Sequence, residues 1–115
     1  MEIKVSKNSN DIYLVELEGA LDLYSSNQFK ELVMKMVSKK AERVIIDLGK
    51  VDKVNSAGIG ALIFVSSTLK KLKCPLVMVV PEGPVMNALE VTRLKGYFSI
   101  APSLKEALPL AAKAV

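Results

Sequence analysis

The stretch VIIDLGKVDKVNSAGIGAL, residues 44–62, holds the groups in this chain best placed to do chemistry. A strand-like apolar run carries a carboxylate, Asp47, and leads through a polar loop. It reaches Asn55-Ser56-Ala57-Gly58-Ile59-Gly60, where a hydroxyl stands among small residues. Asn55 and Ser56 are both helix-capping types, accepting from first-turn N–H groups that lack a partner. The glycines do not form a phosphate-cradling P-loop, because the G-x-x-x-x-G-K-S/T pattern is absent. Asp47 after VII is placed like the phospho-acceptor of a response-regulator receiver. That chemistry needs an acidic pair after the first strand to hold Mg²⁺. The chain there reads Ser6-Lys7-Asn8-Ser9. Asp47 is therefore expected merely to end a strand. Two readings of Asn55 and Ser56 remain: a cap and nothing more, or a hydroxyl displayed at the domain edge.

Other chemistries fall away on composition. Histidine is absent, which removes Ser-His-Asp triads, Cys-His pairs and His-ligated metals. The one cysteine, Cys74, precedes Pro75 at the start of an apolar run. A buried structural thiol is expected, with neither an intramolecular disulfide nor a Cys-rich metal site. With no nucleophile–base pair at a recognisable spacing, the chain reads as a non-enzyme without metal or cofactor.

The 115 residues fit a single domain over residues 1–115, half of them hydrophobic. The net charge of +4 raises the question of nucleic acid. Lys39, Lys40, Lys70, Lys71 and Lys73, however, fall near predicted helix ends, where cations offset the helix dipole. No aromatic residue is interleaved with them as a base-stacking platform requires. Direct nucleic-acid binding is not expected. No apolar run reaches the length of a membrane helix. Residues 1–5 alternate polar and apolar, unlike a signal peptide. A cytoplasmic protein is the expectation.

The elements that position the 44–62 segment follow from patterning. Residues 2–6 and 12–18 read as two strands joined by the turn-forming Asn8-Ser9-Asn10-Asp11. Gly19 breaks the second strand, and Asp22-Leu23-Tyr24-Ser25 reads as a loop. Ser25 with Gln28 has capping-box spacing for a helix carrying Phe29, Leu32, Val33, Met36 and Val37 inward. Residues 43–48 form a buried-type strand, and 49–54 a loop. A helix opens at Asn55-Ser56 and runs to about Leu72. Its first half is apolar nearly all round, so it should lie against the sheet or another helix. Residues 76–80 form the most strand-like run. A helix over 85–94 precedes Gly96, a C-cap candidate. Residues 97–100 read as a short strand. Ser103 and Glu106 cap a last helix, which Pro109 should kink or shorten. The order β-β-α-β-α-β-α-β-α predicts an α/β fold: an opening hairpin, then a mostly parallel sheet of four to five strands with helices packed on it.

Asn55-Ser56-Ala57-Gly58-Ile59-Gly60 resembles the Asp-Ser-small-Gly-aliphatic-Gly signature of STAS domains, specifically the bacterial anti-sigma-factor antagonists. Gly19-Ala20-Leu21-Asp22 matches that family's G-x-I/L-D at the end of the second strand. The I-I-D-L third strand, the helix from Ser26 and the region 85–96 fall in the same order, so the resemblance spans essentially the whole chain. It implies a STAS-type fold and a role as ligand and substrate.

In that family the serine matching Ser56 is phosphorylated by an anti-sigma factor with a histidine-kinase-like ATPase fold. The unphosphorylated antagonist binds this kinase and frees the sigma factor. The phosphorylated form does not bind, and a serine phosphatase resets it. The resemblance places Asp22, Tyr24, Asn55, Ser56, Ala57, Gly58 and Ile59 at the partner-binding face. Ala57 and Gly58 are expected to leave the Ser56 hydroxyl unshielded, and Gly60 to allow close approach. Ile59 is read either as an exposed apolar anchor or, with slight preference, as core, and Asp22 and Asp52 are expected to add charge near the serine. A phosphate brings about −1.5 to −2 charges. A helix N-terminus tolerates that anion, so a surface switch without global rearrangement is expected. Asn55 stands where many members have aspartate, removing one charge beside the acceptor while keeping a capping side chain. STAS modules also serve as unphosphorylated scaffolds or in nucleotide-sensing and transport assemblies, the alternative reading.

Overall fold

The computed structural model describes residues 1–113. In order they form β1 (Glu2–Lys7), β2 (Ile12–Leu21), α1 (Leu23–Ser38), β3 (Arg43–Val54), α2 (Ser56–Lys71) and β4 (Leu76–Val79). Helix α3 (Pro84–Val91), a 3-10 turn (Lys95–Tyr97), β5 (Ile100–Ala101) and α4 (Leu104–Lys113) follow. The five strands make one sheet in the order β1-β2-β3-β4-β5. The β1–β2 hairpin is antiparallel and every other pair is parallel.

Strand alternation explains the layers. Val15, Leu17, Val44, Ile46, Met78 and Val80 share one apolar cluster with Phe29 and Val33 of α1, Leu62 and Val65 of α2, and Val85 and Leu89 of α3. Their neighbours Ile12, Ile45, Val77 and Val79 point the other way, onto Ala107 and Ala111 of α4. A period-two sheet buried on both faces must read as a near-continuous apolar run, as 43–48 and 76–80 do. The β1 edge alternates charge into solvent, which discourages pairing with another chain.

Two expected loops are strand. β2 continues through Gly19 to Leu21, and β3 through residues 49–54, because these segments pair with each other: Gly19↔Val51, Ala20↔Lys53, Leu21↔Val54. Two register irregularities interrupt the ladder, and Gly19 has φ +105 beside the second. A bulge leaves an extra residue unpaired and breaks the alternation a strand is recognised by. Of residues 49–54 only Val51 is fully buried, so the composition reads as loop. Asp47 consequently lies within β3, not at its end, and accepts from Gly49 N at 2.8 Å.

The other corrections lie at element ends. Helix α1 is capped by Asp22, not Ser25; Ser25 is the third residue of the helix. The expected strand over 97–100 shrinks to Ile100–Ala101, with Tyr97 in the 3-10 turn. Gly96 also lies in that turn and does not cap α3. Helix α4 runs through Pro109 to Lys113 without being cut short, and Ser103 Oγ accepts from Glu106 N at 3.3 Å.

Candidate partner-docking site

In a parallel sheet every strand delivers its chain to the same edge, and the loops there are the usual functional ones. β2 and β3 are neighbours in parallel, with Leu21 opposite Val54. The residues that follow them, Asp22 and Asn55, are therefore brought side by side. Asn55 N donates to Leu21 O at 3.3 Å, tying the start of α2 to the end of β2.

Each cap is built from its own loop. Asp22 accepts from Tyr24 N at 3.0 Å and Ser25 N at 3.1 Å, while Asp22 N donates to Ser25 Oγ at 2.9 Å. This is a reciprocal capping box with serine in the returning position. Ser25 Oγ also lies 2.7 Å from Ala20 O, to which its hydroxyl donates. Ser26 Oγ bonds Asp22 O. These bonds explain why Ser25 and Ser26 are buried at a helix start. The bond from Ser25 N, above all, lowers the Asp22 pKa below its ordinary value. Asp22 thus stays ionised at the N-cap of α1, the helix end where negative charge is favoured.

Asn55 caps α2 by accepting from Gly58 N at 3.1 Å. The capping reading of Asn55 is correct, and that of Ser56 is not. Ser56 is the first residue of the helix, exposed, and its hydroxyl has no hydrogen-bond partner among the described residues. Ala57 is half-buried, and Ile59 is core at 7% exposure, as expected.

Gly58 has another reason than access. A Cβ there would lie 2.3 Å from Leu21 O and 2.9 Å from Val54 Cγ2. Only glycine lets α2 seat on the ends of β2 and β3; the residue is buried and shields or exposes nothing. Gly60, by contrast, has nothing within 4 Å of its Cβ position.

The surface around Ser56 is more apolar than the sequence reading expected. Tyr24 is 87% exposed and Leu23 64%, both in the first turn of α1. Phe64 is 46% exposed, although the first half of α2, apolar nearly all round, is expected to lie against the sheet or another helix. It continues the open face of Ser56 and Gly60 at i+8 and i+4. Beside it Asn27, Lys30 and Met34 of α1 line a groove of about 480 Å³, with Lys30 Nζ 5.4 Å from the Phe64 ring centroid. The stripe Leu23, Asn27, Lys30, Met34 has helical spacing, so it was visible as the back of α1 once Phe29 and Val33 were placed inward. Asp52 is exposed on β3. Among the described residues no helix is long and apolar enough to cross a membrane.

A five-stranded sheet with one antiparallel pair, three helices on one face and one on the other defines the class as α/β of STAS type. The STAS domain pattern matches residues 4–107, and the chain belongs to that family. It is 28% identical over 91 residues to BtrV of Bordetella bronchiseptica, described as a candidate anti-sigma factor antagonist, covering 79% of this chain and 78% of that protein. An anti-sigma factor antagonist from Mycobacterium paratuberculosis superposes with a TM-score of 0.86 at 20% identity, covering 96% of this chain and 92% of the other. The phosphorylated form of the Bacillus cell fate determinant SpoIIAA gives 0.72 at 14% identity, covering 95% and 98%. These structural likenesses concern the fold.

Proposed function

We propose that this chain is an anti-sigma-factor antagonist whose Ser56 edge docks an anti-sigma factor when the serine is unmodified. The observation that carries the reading is the Ser56 hydroxyl: exposed, without a partner among the described residues, at the N-terminus of α2 and beside the Asp22 turn. A side chain retained for capping would accept from the helix; here Asn55 does that. The hydroxyl is left to an incoming group.

Asp22, Tyr24, Asn55, Ser56 and Ala57 form the docking face in this proposal. Gly58 and Ile59 act beneath it, by letting α2 seat and by anchoring it in the core. Leu23 and Phe64 add apolar area at the rim. The kinase is an anti-sigma factor with a histidine-kinase-like ATPase fold, and a serine phosphatase reverses its action, both in the cytoplasm. A phosphate on Ser56 meets the unpaired N–H groups of the first turn of α2, so the fold tolerates it. It also brings about −1.5 to −2 charges beside Asp22. The partner then meets a bulkier, more acidic face, and docking is lost without refolding.

The test is phosphosite mapping after incubation with ATP and an extract of the source cells, with Ser56→Ala in parallel. One phosphate on Ser56, absent in the variant and weakening capture of a kinase, is the expected result. Equal capture by both forms with no phosphate would leave a constitutive scaffold instead. Large backbone chemical-shift changes across the sheet on phosphorylation would overturn the surface switch.

A further inference from the structure

At the other end of α2 lies a cavity of about 470 Å³ that the Ser56 edge does not use. Fourteen residues of helix separate Ser56 from Lys70, about 21 Å at 1.5 Å per residue. Lys70 and Lys73 line this cavity together with the hydroxyl-bearing Ser66, Ser99 and Tyr97, and Cys74. Among the described residues that line it none is acidic. Among the described residues neither lysine forms an ion pair.

The usual reason for lysines at a helix end is the run of free carbonyls there. In α2 three of the last carbonyls already accept backbone bonds. Leu72 N donates to Thr68 O at 3.2 Å, Lys73 N to Lys70 O at 3.1 Å and Cys74 N to Leu69 O at 2.9 Å. Burial, with a smaller contribution from Glu42, raises the Cys74 thiol pKa, so this residue adds no negative charge. Tyr97 is held by an edge-on contact with Phe98 at 4.9 Å between ring centroids, and is 47% exposed. Two lysines, three hydroxyl-bearing residues, one of them aromatic, and a buried cysteine therefore line one recess.

The geometry points to a binding site for a small phosphate monoester on an aromatic or apolar body. The two ammonium groups match a dianion, the hydroxyls supply further donors, and Tyr97 offers a surface for the body. Helix dipole compensation does not account for the hydroxyls or the ring. The site is independent of the role of Ser56.

Phenyl phosphate is the probe, titrated into ¹⁵N-labelled protein to tens of millimolar, with inorganic phosphate in parallel. Saturable shifts confined to Lys70, Lys73, Cys74, Tyr97 and Ser99, with inorganic phosphate binding more weakly, are expected. The double variant Lys70→Gln, Lys73→Gly removes both cations and keeps the left-handed backbone that residue 73 adopts at φ +58. It should weaken phenyl phosphate by about tenfold or more, while Ser56→Ala leaves it unchanged. The proposal is overturned by absent or non-saturating shifts. Shifts spread equally over remote lysines, or binding that survives the double variant in a folded protein, overturn it as well.

Discussion

Asn55 N donates to Leu21 O across the ends of two parallel strands, and Gly58 passes over the same carbonyl one turn later. That single acceptor fixes the start of α2 against β2. It sets Ser56 beside the Asp22 turn, so the relation between the two halves of the docking face is one of backbone, independent of any contact between their side chains.

Gly58→Ala is therefore expected to destabilise the fold although it replaces glycine by the best helix former. Propensity alone favours alanine by about 1 kcal/mol. The added methyl, 2.3 Å from Leu21 O, must push the helix off the strand ends. Overpacking of this kind costs about 1–3 kcal/mol. Gly60→Ala is the control: nothing lies within 4 Å, so stability should rise by up to about 1 kcal/mol. Urea unfolding of the pair measures both, and a stabilised Gly58→Ala would refute the seating argument.

The Asp22 cap should show in acid. Its carboxylate is held below the ordinary value of 3.8 by the Ser25 and Tyr24 N–H groups. A depressed folded pKa means the contribution is fully present above 3.8 and lost as pH falls through the lower, folded value. Asp22→Asn retains a capping oxygen but has no proton to take up, so its melting temperature should fall less steeply below pH 3.8. Asp22→Ala should melt earlier at neutral pH too. Parallel slopes for wild type and Asp22→Asn would show that the cap carries no linked proton.

Substitutions at Ser56 should separate binding from folding. The side chain is exposed and has no partner among the described residues, so Ser56→Ala should change stability by less than about 0.5 kcal/mol. Ser56→Asp puts a negative charge at the first position of α2 and should stabilise by about 0.3–1 kcal/mol, less at high salt. The same variant should lose capture of the anti-sigma factor that the Ala form retains. An Asp variant that is both destabilised and inactive would instead indicate a folding defect.

The hexapeptide at Asn55, the inward stripe of α1 and the alternation of strands and helices were legible because each is a local pattern with one physical cause. The second half of β3 was not, since its pairing with β2 through two irregularities is a long-range fact and its residues are mostly polar. Ser25 was misplaced because serine serves both positions of a capping box, and only the chain path shows that Asp22 occupies the first. Gly58 looked like a device for access because its neighbour across the sheet edge, Leu21, is far away in sequence.

Three helices end alike, in a way Gly96 obscured. Lys40, Lys73 and Arg93 have φ of 61, 58 and 60, the left-handed conformation usual for glycine after a helix. Each makes the paired bonds of a Schellman motif: Lys40 N to Val37 O with Ala41 N to Met36 O, Lys73 N to Lys70 O with Cys74 N to Leu69 O, and Arg93 N to Glu90 O with Leu94 N to Leu89 O. Of the apolar partners that accompany the motif, Met36, Leu69, Cys74 and Leu89 belong to one core cluster, and Ala41 and Leu94 pack against it. Cys74 is thus explained by packing. A side chain in this conformation costs about 1–2 kcal/mol, partly offset by about 0.3–1 kcal/mol from a cation near the helix C-terminus. Lys40→Gly, Lys73→Gly and Arg93→Gly should each then raise stability by up to about 1 kcal/mol, more at high salt, where the cation contributes least. Chemical denaturation at two ionic strengths tests this. A loss of stability in all three would mean that the basic side chains hold these ends by contacts stronger than the strain.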